Sequence, residues 1–382
     1  MASTVYFCDL RATLKRPLTA KLDELIQRVG LPGRVKGFTA IKLHFGERGN
    51  TAYIRPVYVR RFVEAVKAAG AKPFLTDCNT LYGGTRSDSA SHQVTAIENG
   101  FAYSVVGAPI LIADGLRGHS EAAVRVDLPE CQTAYIGRDV AEAHSLISLA
   151  HFKGHELSGF GGTIKNLGMG AASRRGKLFQ HSNLSPQVEA RLCIACGECV
   201  ARCPAKALRL GPRLPDDPPA PEGSPKPRLR AHKDEEKCIG CGDCILTCFQ
   251  QAIQIQWDAQ IPEFQRRMVA YTKAVLQGKE DRATYFNFVT QVSPACDCYP
   301  YQDAPIVADI GVLASTDPVA IDQAAAELVN QAPGLPHSCL KEAHTPGADK
   351  FRDIYPKVDW EIQLAYAEEI GLGTRDYELV RI

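Results

Sequence analysis

The chain has 382 residues, 45% of them hydrophobic, which is enough for two or more compact units with buried cores. Its 44 basic and 43 acidic residues leave a net charge of +1, so no global field favours nucleic acid or an anionic membrane. No run of about 18 uninterrupted apolar residues occurs, and the opening "MASTVYFCDLRATLKRP" lacks a signal-peptide core, so a cytoplasmic protein with no membrane partner is expected. In that compartment the fourteen cysteines are held reduced, and clustered ones point to metal ligands or redox centres rather than disulfides.

Short apolar strands and amphipathic helices alternate through the first 150 residues. "FTAIKLHF" (38–45) has strand character. "PVYVRRFVEAVKAAG" opens with Pro56 at a helix start, sets Val59, Phe62, Val63 and Val66 on one face, and stops at Gly70. "AKPFLTD" (71–77) returns as a strand, completing a βαβ unit, and "SLISLAHF" (145–152) and "APIVADIGVLAS" (304–315) fit further buried strands. The expected body is α/β, with a mostly parallel sheet and helices.

Residues 151–181 gather His151, His155, Lys165 and His181 around Gly159, Gly161, Gly162, Gly168 and Gly170. Glycines permit close backbone approach to a ligand, and their N–H groups can cradle phosphate, so a metal or nucleotide-type cofactor is a candidate there. The plainer alternative is a glycine-rich turn with packing histidines. His155, Lys165 and His181 are the candidate catalytic residues. Burial among backbone dipoles would disfavour the lysine's charge and suit it to bonding a substrate or cofactor.

Next come two matching cassettes of the form CxxCxxCxxxC. They hold Cys193, Cys196, Cys199 and Cys203, then Cys238, Cys241, Cys244 and Cys248. Three thiolates two residues apart can wrap three corners of a cubane, with Gly197 and Gly242 letting the backbone turn tightly. The fourth cysteine crosses to the other cluster, as in bacterial two-cluster ferredoxins. One 4Fe-4S cluster is therefore assigned to Cys193, Cys196, Cys199 and Cys248, the other to Cys238, Cys241, Cys244 and Cys203. Paired zinc sites are the alternative, but zinc takes its ligands from separated CxxC knuckles. Pro204 follows the first cassette as that motif expects, and Phe249 stands in its place after the second.

Between the cassettes, residues 211–230 are rich in proline and charge and fit an exposed, partly extended connector. The simplest organisation is a small α+β ferredoxin-like module, residues 184–258, inserted into a discontinuous α/β domain of residues 1–183 and 259–382. Of the six remaining cysteines, Cys8, Cys78 and Cys131 lie in or beside strands and fit small core residues, and Cys339 is the sixth. Cys296 and Cys298 sit at i and i+2, on one side of an extended segment, where they could hold a soft metal or act as a redox pair. Two free thiols near the module are the bland alternative. Asp317 precedes Pro318 and should cap the following helix; Asp309 is a weaker site candidate.

The stretches "IKLHFGERGNTAYIRP", "LTDCNTLYGGTRSDSASH", "AHFKGHELSGFGGTIKNLGMGAASRRGKLFQHS", "CDCYPYQDAPIVADIGVLASTDPVAID" and "QLAYAEEIGLG" resemble the domain-of-unknown-function family 362, in the form carrying an inserted two-cluster ferredoxin. That resemblance implies no assigned activity. His155, Lys165 and His181, with "SGFGGTIKNLGMG" between, are also similar in spacing to a segment of the nickel-pincer lactate racemase family. "NTAYIRP" (50–56) and "GGTRSDSASH" (83–92) loosely resemble other motifs of that family. In it the lysine carries the cofactor covalently and the histidines serve the metal and proton transfer. The leading expectation is an iron–sulfur oxidoreductase that passes low-potential electrons to a site in the α/β domain, acting on a small-molecule substrate or a redox partner protein. An electron carrier or assembly factor, and a racemase-like isomerase, are the alternatives.

Overall fold

The computed structural model describes residues 2–181, 186–254 and 261–382, and the side chain of Leu246 is not described. The expected module boundaries, at 183/184 and 258/259, lie outside the described residues.

Eight strands form the main sheet: β1 (Ser3–Asp9), β2 (Phe38–Lys42), β3 (Lys72–Asp77), β4 (Ile110–Ile112), β5 (Ser145–His151), β6 (Ala283–Val289), β7 (Gly311–Ser315) and β8 (Tyr377–Arg381). Their order is β8-β1-β7-β6-β5-β2-β3-β4. Every neighbouring pair is parallel except the two made by β7, which runs against both β1 and β6. The strand expected over 304–315 is thus shorter and reversed, because residues 304–310 form a loop that turns the chain before it enters the sheet. Every residue of β5 and β6 is buried, the signature of strands covered on both faces.

Helices supply that cover. The helix Pro56–Ala68 turns Val59, Phe62, Val63 and Val66 into one core with Leu22, Leu25 and Ile26 of the helix Leu18–Arg28. Burying each such side chain contributes about 1.5–3 kcal/mol. Gly70 ends the first of these helices at φ +78, a backbone conformation that only glycine adopts at no cost. On the opposite face Ile261–Leu276, Pro318–Gln331 and Glu361–Glu369 build a second core around Phe264, Met268, Tyr271, Ile321 and Leu364. Asp317 caps Pro318–Gln331 as expected, accepting from the N–H groups of Val319 and Ala320. Cys8, Cys78 and Cys131 are buried. Among the described residues no helix is long and apolar enough to cross a membrane.

The cysteine-rich segment has its own small apolar cluster, containing Leu208, Ala231, Ala252 and Ile253. Its described ends pair as short antiparallel strands, with Gln187 opposite Gln254 and Val188 opposite Ile253, so the chain enters and leaves at one place. The proline-rich connector is better ordered than its composition suggests. Leu208–Pro212 and Leu229–Lys233 form a β-ribbon, Arg213 donates to the carbonyls of Ala190 and Cys193 at 3.0 and 2.8 Å, and Ser224 donates to that of Ile194. Its polar groups are used to satisfy the backbone of the first cassette.

Because β2 to β6 run one way, the loops leaving their carboxyl ends share an edge of the sheet. That edge carries the polar residues of interest.

Candidate functional site

The two cassettes repeat their backbone as well as their spacing. Ala195 and Gly240, Gly197 and Gly242, and Lys206 and Gln251 occupy equivalent positions, and all six have positive φ between 51 and 87. Gly197 and Gly242 each open a one-turn helix, Glu198–Arg202 and Asp243–Thr247. The result is two cavities. One is lined by Cys193, Cys196, Cys199 and Cys248; the other by Cys203, Cys238, Cys241 and Cys244. Each fourth cysteine has thus crossed to the opposite set. The Ala207 N–H donates to Cys203 Sγ and the Ala252 N–H to Cys248 Sγ, both at 3.2 Å. Burial and then the neighbouring thiols Cys248, Cys193 and Cys196 push Cys199 up to about 12. Burial and then Cys241 and Cys238 do the same to Cys244.

The second cassette abuts the α/β body. Asp243 pairs with Arg174 at 3.1 Å and with His119 at 3.2 Å. A Cβ on Gly242 would stand 3.1 Å from Arg174 and 3.2 Å from Leu81, so glycine is what allows this approach. Tyr82, the next residue, donates its hydroxyl to the carbonyl of Cys298 at 3.0 Å. A continuous path of contacts therefore links the second quartet to the Cys296/Cys298 segment.

That segment is a tight turn, not an extended stretch. The Tyr299 N–H donates to the Cys296 carbonyl at 3.1 Å, and the turn closes the two sulfurs to 3.0 Å. Lys165, on the short helix Thr163–Gly168, donates to Cys296 Sγ at 3.5 Å, and His44, just past β2, meets Cys298 Sγ at 3.5 Å through Nε2. The Gly46 N–H donates to His44 Nδ1 at 3.0 Å; in the neutral ring the proton then sits on Nε2, facing the sulfur. The hydrogen bond from Cys296, then His44 and Lys165, hold the Cys298 thiol well below its ordinary pKa against the opposing effect of burial. The Cys298 hydrogen bond, burial and the charge of Cys298 raise Cys296 well above it.

Charges around the turn are compensated. Asp297 accepts from His151 Nδ1 at 2.8 Å and lies 3.5 Å from Lys153. Burial opposes its ionisation, but His151 and Lys153 outweigh that and keep it a carboxylate. On the other side Arg86 contacts Tyr82 at 2.7 Å, Glu47 at 3.2 Å and Asp77 at 3.5 Å, and Lys42 pairs with Asp77 at 3.0 Å. Breaking such a buried network by removing one partner leaves an uncompensated charge, so it fixes the geometry of the loops it ties together.

The catalytic candidates from the sequence are brought near one another. His155 and His181 both stack on Phe264, at 6.3 and 4.9 Å between ring centres, and the charge of Lys165 acts on both. Burial first, then Lys165, lowers His155 well below the usual value and His181 to about 3. Lys165, 8% exposed, departs from the expectation of a disfavoured charge. Burial does act against the ammonium, but Cys296 and Cys298 outweigh it and raise its pKa.

The five candidate glycines around Lys165 face the chain's own atoms. A Cβ on Gly162 would meet the Asp322 carboxylate at 2.3 Å, where Asp322 accepts from the N–H groups of Thr163 and Ile164; one on Gly168 would meet the Met268 carbonyl at 2.1 Å. A Cβ on Gly159 would meet Trp360 at 2.4 Å, one on Gly170 the Asn166 carbonyl at 2.3 Å, and one on Gly161 the Lys165 side chain at 2.9 Å. Sequence reasoning missed His44, Tyr82, Arg86 and Asp297. The signal for them was position: each lies in a loop that leaves the carboxyl end of a parallel strand.

Residues 39–327 match the family described as "Domain of unknown function (DUF362)". No curated protein matches the sequence. Among solved structures, the chain is similar to the lactate racemase apoprotein from Thermoanaerobacterium thermosaccharolyticum, at 13% identity and a TM-score of 0.32, over 75% of this chain and 50% of that one. It is also similar to a protein from Thermotoga maritima, at 8% identity and a TM-score of 0.41, over 83% of this chain and 59% of that one. The chain thus spans about half the length of the racemase it matches.

Proposed function

We propose that this chain, which belongs to the DUF362 family, carries two 4Fe-4S clusters in an inserted ferredoxin-like module and passes low-potential electrons to a site in its α/β domain, as an oxidoreductase. The observation that carries this is the crossing of Cys203 and Cys248, which gathers eight cysteines into two quartets, one of them in contact with the loop that reaches Cys298.

The donor set fits the group. Among the described residues no three His, Cys, Asp or Glu side chains are arranged to hold a single metal ion, and the eight thiols instead fall into two quartets, each lining a space of its own. Each quartet has four thiols and at least one backbone N–H directed at sulfur, the hydrogen bonding that tunes cluster potential. When bound, such clusters supply one-electron transfer at low potential. The chain's own residues do the rest: Tyr82 and Arg86 fix the turn that holds Cys296 and Cys298, Lys165 presents an ammonium to their sulfurs, and Phe264 holds His155 and His181 beside it.

A carrier that docks a partner enzyme is supported by a separate feature. A groove lined by Tyr135, Arg175, Leu178, Arg267, Cys238 and Ile239 runs along the junction beside the second quartet, and Ile239 is exposed. A nickel-pincer enzyme would need Lys165 as a free amine to bond its cofactor, and the two sulfurs work against that. Metal and sulfide analysis of protein purified without oxygen tests the proposal. About eight irons and eight acid-labile sulfides per chain are expected; two zincs and no sulfide would overturn it.

A further inference from the structure

We infer that Cys296 and Cys298 form a redox-active dithiol that acts on a disulfide-bearing substrate at the carboxyl edge of the sheet, with Cys298 as the attacking sulfur and Cys296 as the resolving one. The dithiol stands on its own geometry, and only the source of its electrons rests on the function proposed above.

Five features support it. The turn at residues 296–299 holds the sulfurs 3.0 Å apart, so a disulfide between them needs little movement. Their accessibility differs: Cys296 is 2% exposed while Cys298 is the less buried of the two residues, which makes Cys298 the outer member of the pair. Lys165 and His44 each direct a donor at the pair, the arrangement that stabilises a thiolate. The His44 proton faces Cys298, so His44 offers the pair a hydrogen bond there and not a lone pair as a third metal ligand. Asp297, the anion between the two cysteines, is taken up by His151 and Lys153 and does not oppose the thiolate.

The chemistry balances without a further cofactor. The Cys298 thiolate attacks one sulfur of the substrate disulfide, whose S–S bond breaks and releases one substrate thiolate. The Cys296 thiol then gives up its proton and attacks Cys298 Sγ, releasing the second substrate thiolate. One of these thiolates takes the Cys296 proton and the other a proton from solvent. The substrate has gained two electrons and the pair is left as a disulfide. Two equivalents from a low-potential one-electron donor, with one proton, return it to thiol and thiolate.

The test uses the full chain equilibrated in dithiothreitol buffers of graded potential, trapped with N-ethylmaleimide and mapped by peptide mass spectrometry. Cys296 and Cys298 should lose label together, along a two-electron curve. With 2-hydroxyethyl disulfide as probe, Cys296→Ser should retain a mixed disulfide on Cys298, and Cys298→Ser should give at least about tenfold less adduct on Cys296. Independent labelling of the two thiols at every potential, or an adduct preferentially on Cys296, would overturn the inference. The potential curve of the unaltered protein needs no variant to fold. Iron content of the same samples reports separately on the clusters: a pair that cycles in iron-free protein upholds the dithiol and removes only its proposed electron source.

Discussion

The cysteine-rich segment and the α/β body place their functional residues in opposite ways. In the segment, six of eight cysteines reach their quartet through neighbours three residues away, and only Cys203 and Cys248 cross. In the body, the residues around the sulfur pair come from four distant stretches, ending at His44, Tyr82, Lys165 and Cys298, and only the sheet brings them together. Local spacing is readable along a chain; a meeting of strand ends is readable only once the strand order is known. The contact of Gly242 with Arg174 and Leu81 is where the two kinds of site touch.

The largest effect should come from separating the two regions. Deleting residues 184–258 and joining the ends with a short flexible linker should remove all iron yet leave a folded, colourless α/β domain. The pairing of Val188 with Ile253 supports this by bringing the described ends of the segment together. Loss of the Asp243 contacts should lower the melting temperature by about 5 °C or less, followed by circular dichroism. An unfolded product would mean that the two regions share a core.

Half that loss is expected from Cys203→Ala. It should cost about four irons and damage the cluster held by Cys238, Cys241 and Cys244, read by iron analysis and electron paramagnetic resonance. Damage to the cluster held by Cys193 instead would show that the fourth ligand does not cross.

These expectations mark what was legible. The α/β class, the βαβ unit with its buried Val59, Phe62, Val63 and Val66, and the Asp317 cap followed from periodicity and capping chemistry, and the structure has all of them. The reversal of β7 was not legible, because a short buried strand reads the same in either direction. The glycines near Lys165 suggested a ligand cradle, but Gly162 and Gly168 show how a close helix crossing imposes the same residue. The charge of Lys165 was misjudged since its partners, Cys296 and Cys298, are 131 residues or more away in sequence and invisible from its own segment.

A smaller effect sharpens the chemical half of the comparison. Lys165→Met removes the ammonium beside the pair, and Cys298 should then react with iodoacetamide about tenfold more slowly at pH 7, since less of it is thiolate. An unchanged rate would take Lys165 out of the site's chemistry.

The smallest concerns His181. Its folded pKa of about 3 lies below an unfolded value of about 6.5, so between these the unfolded chain binds more protons and stability falls as pH drops through this window. Near pH 5 that amounts to about 2 kcal/mol. His181→Phe, which keeps a ring on Phe264, should flatten this acid limb in urea unfolding, whereas an unchanged limb would assign the loss to other groups.

Electron passage from the cassettes to the sulfur pair is tested most directly by rapid mixing. Protein whose Cys296–Cys298 pair has first been oxidised is reduced with one-electron donor and followed by visible absorbance together with quenched thiol counting. The expected result is that absorbance lost on cluster reduction returns as two thiols per chain appear at Cys296 and Cys298, in one kinetic phase. Clusters that stay reduced beside an oxidised pair would contradict it.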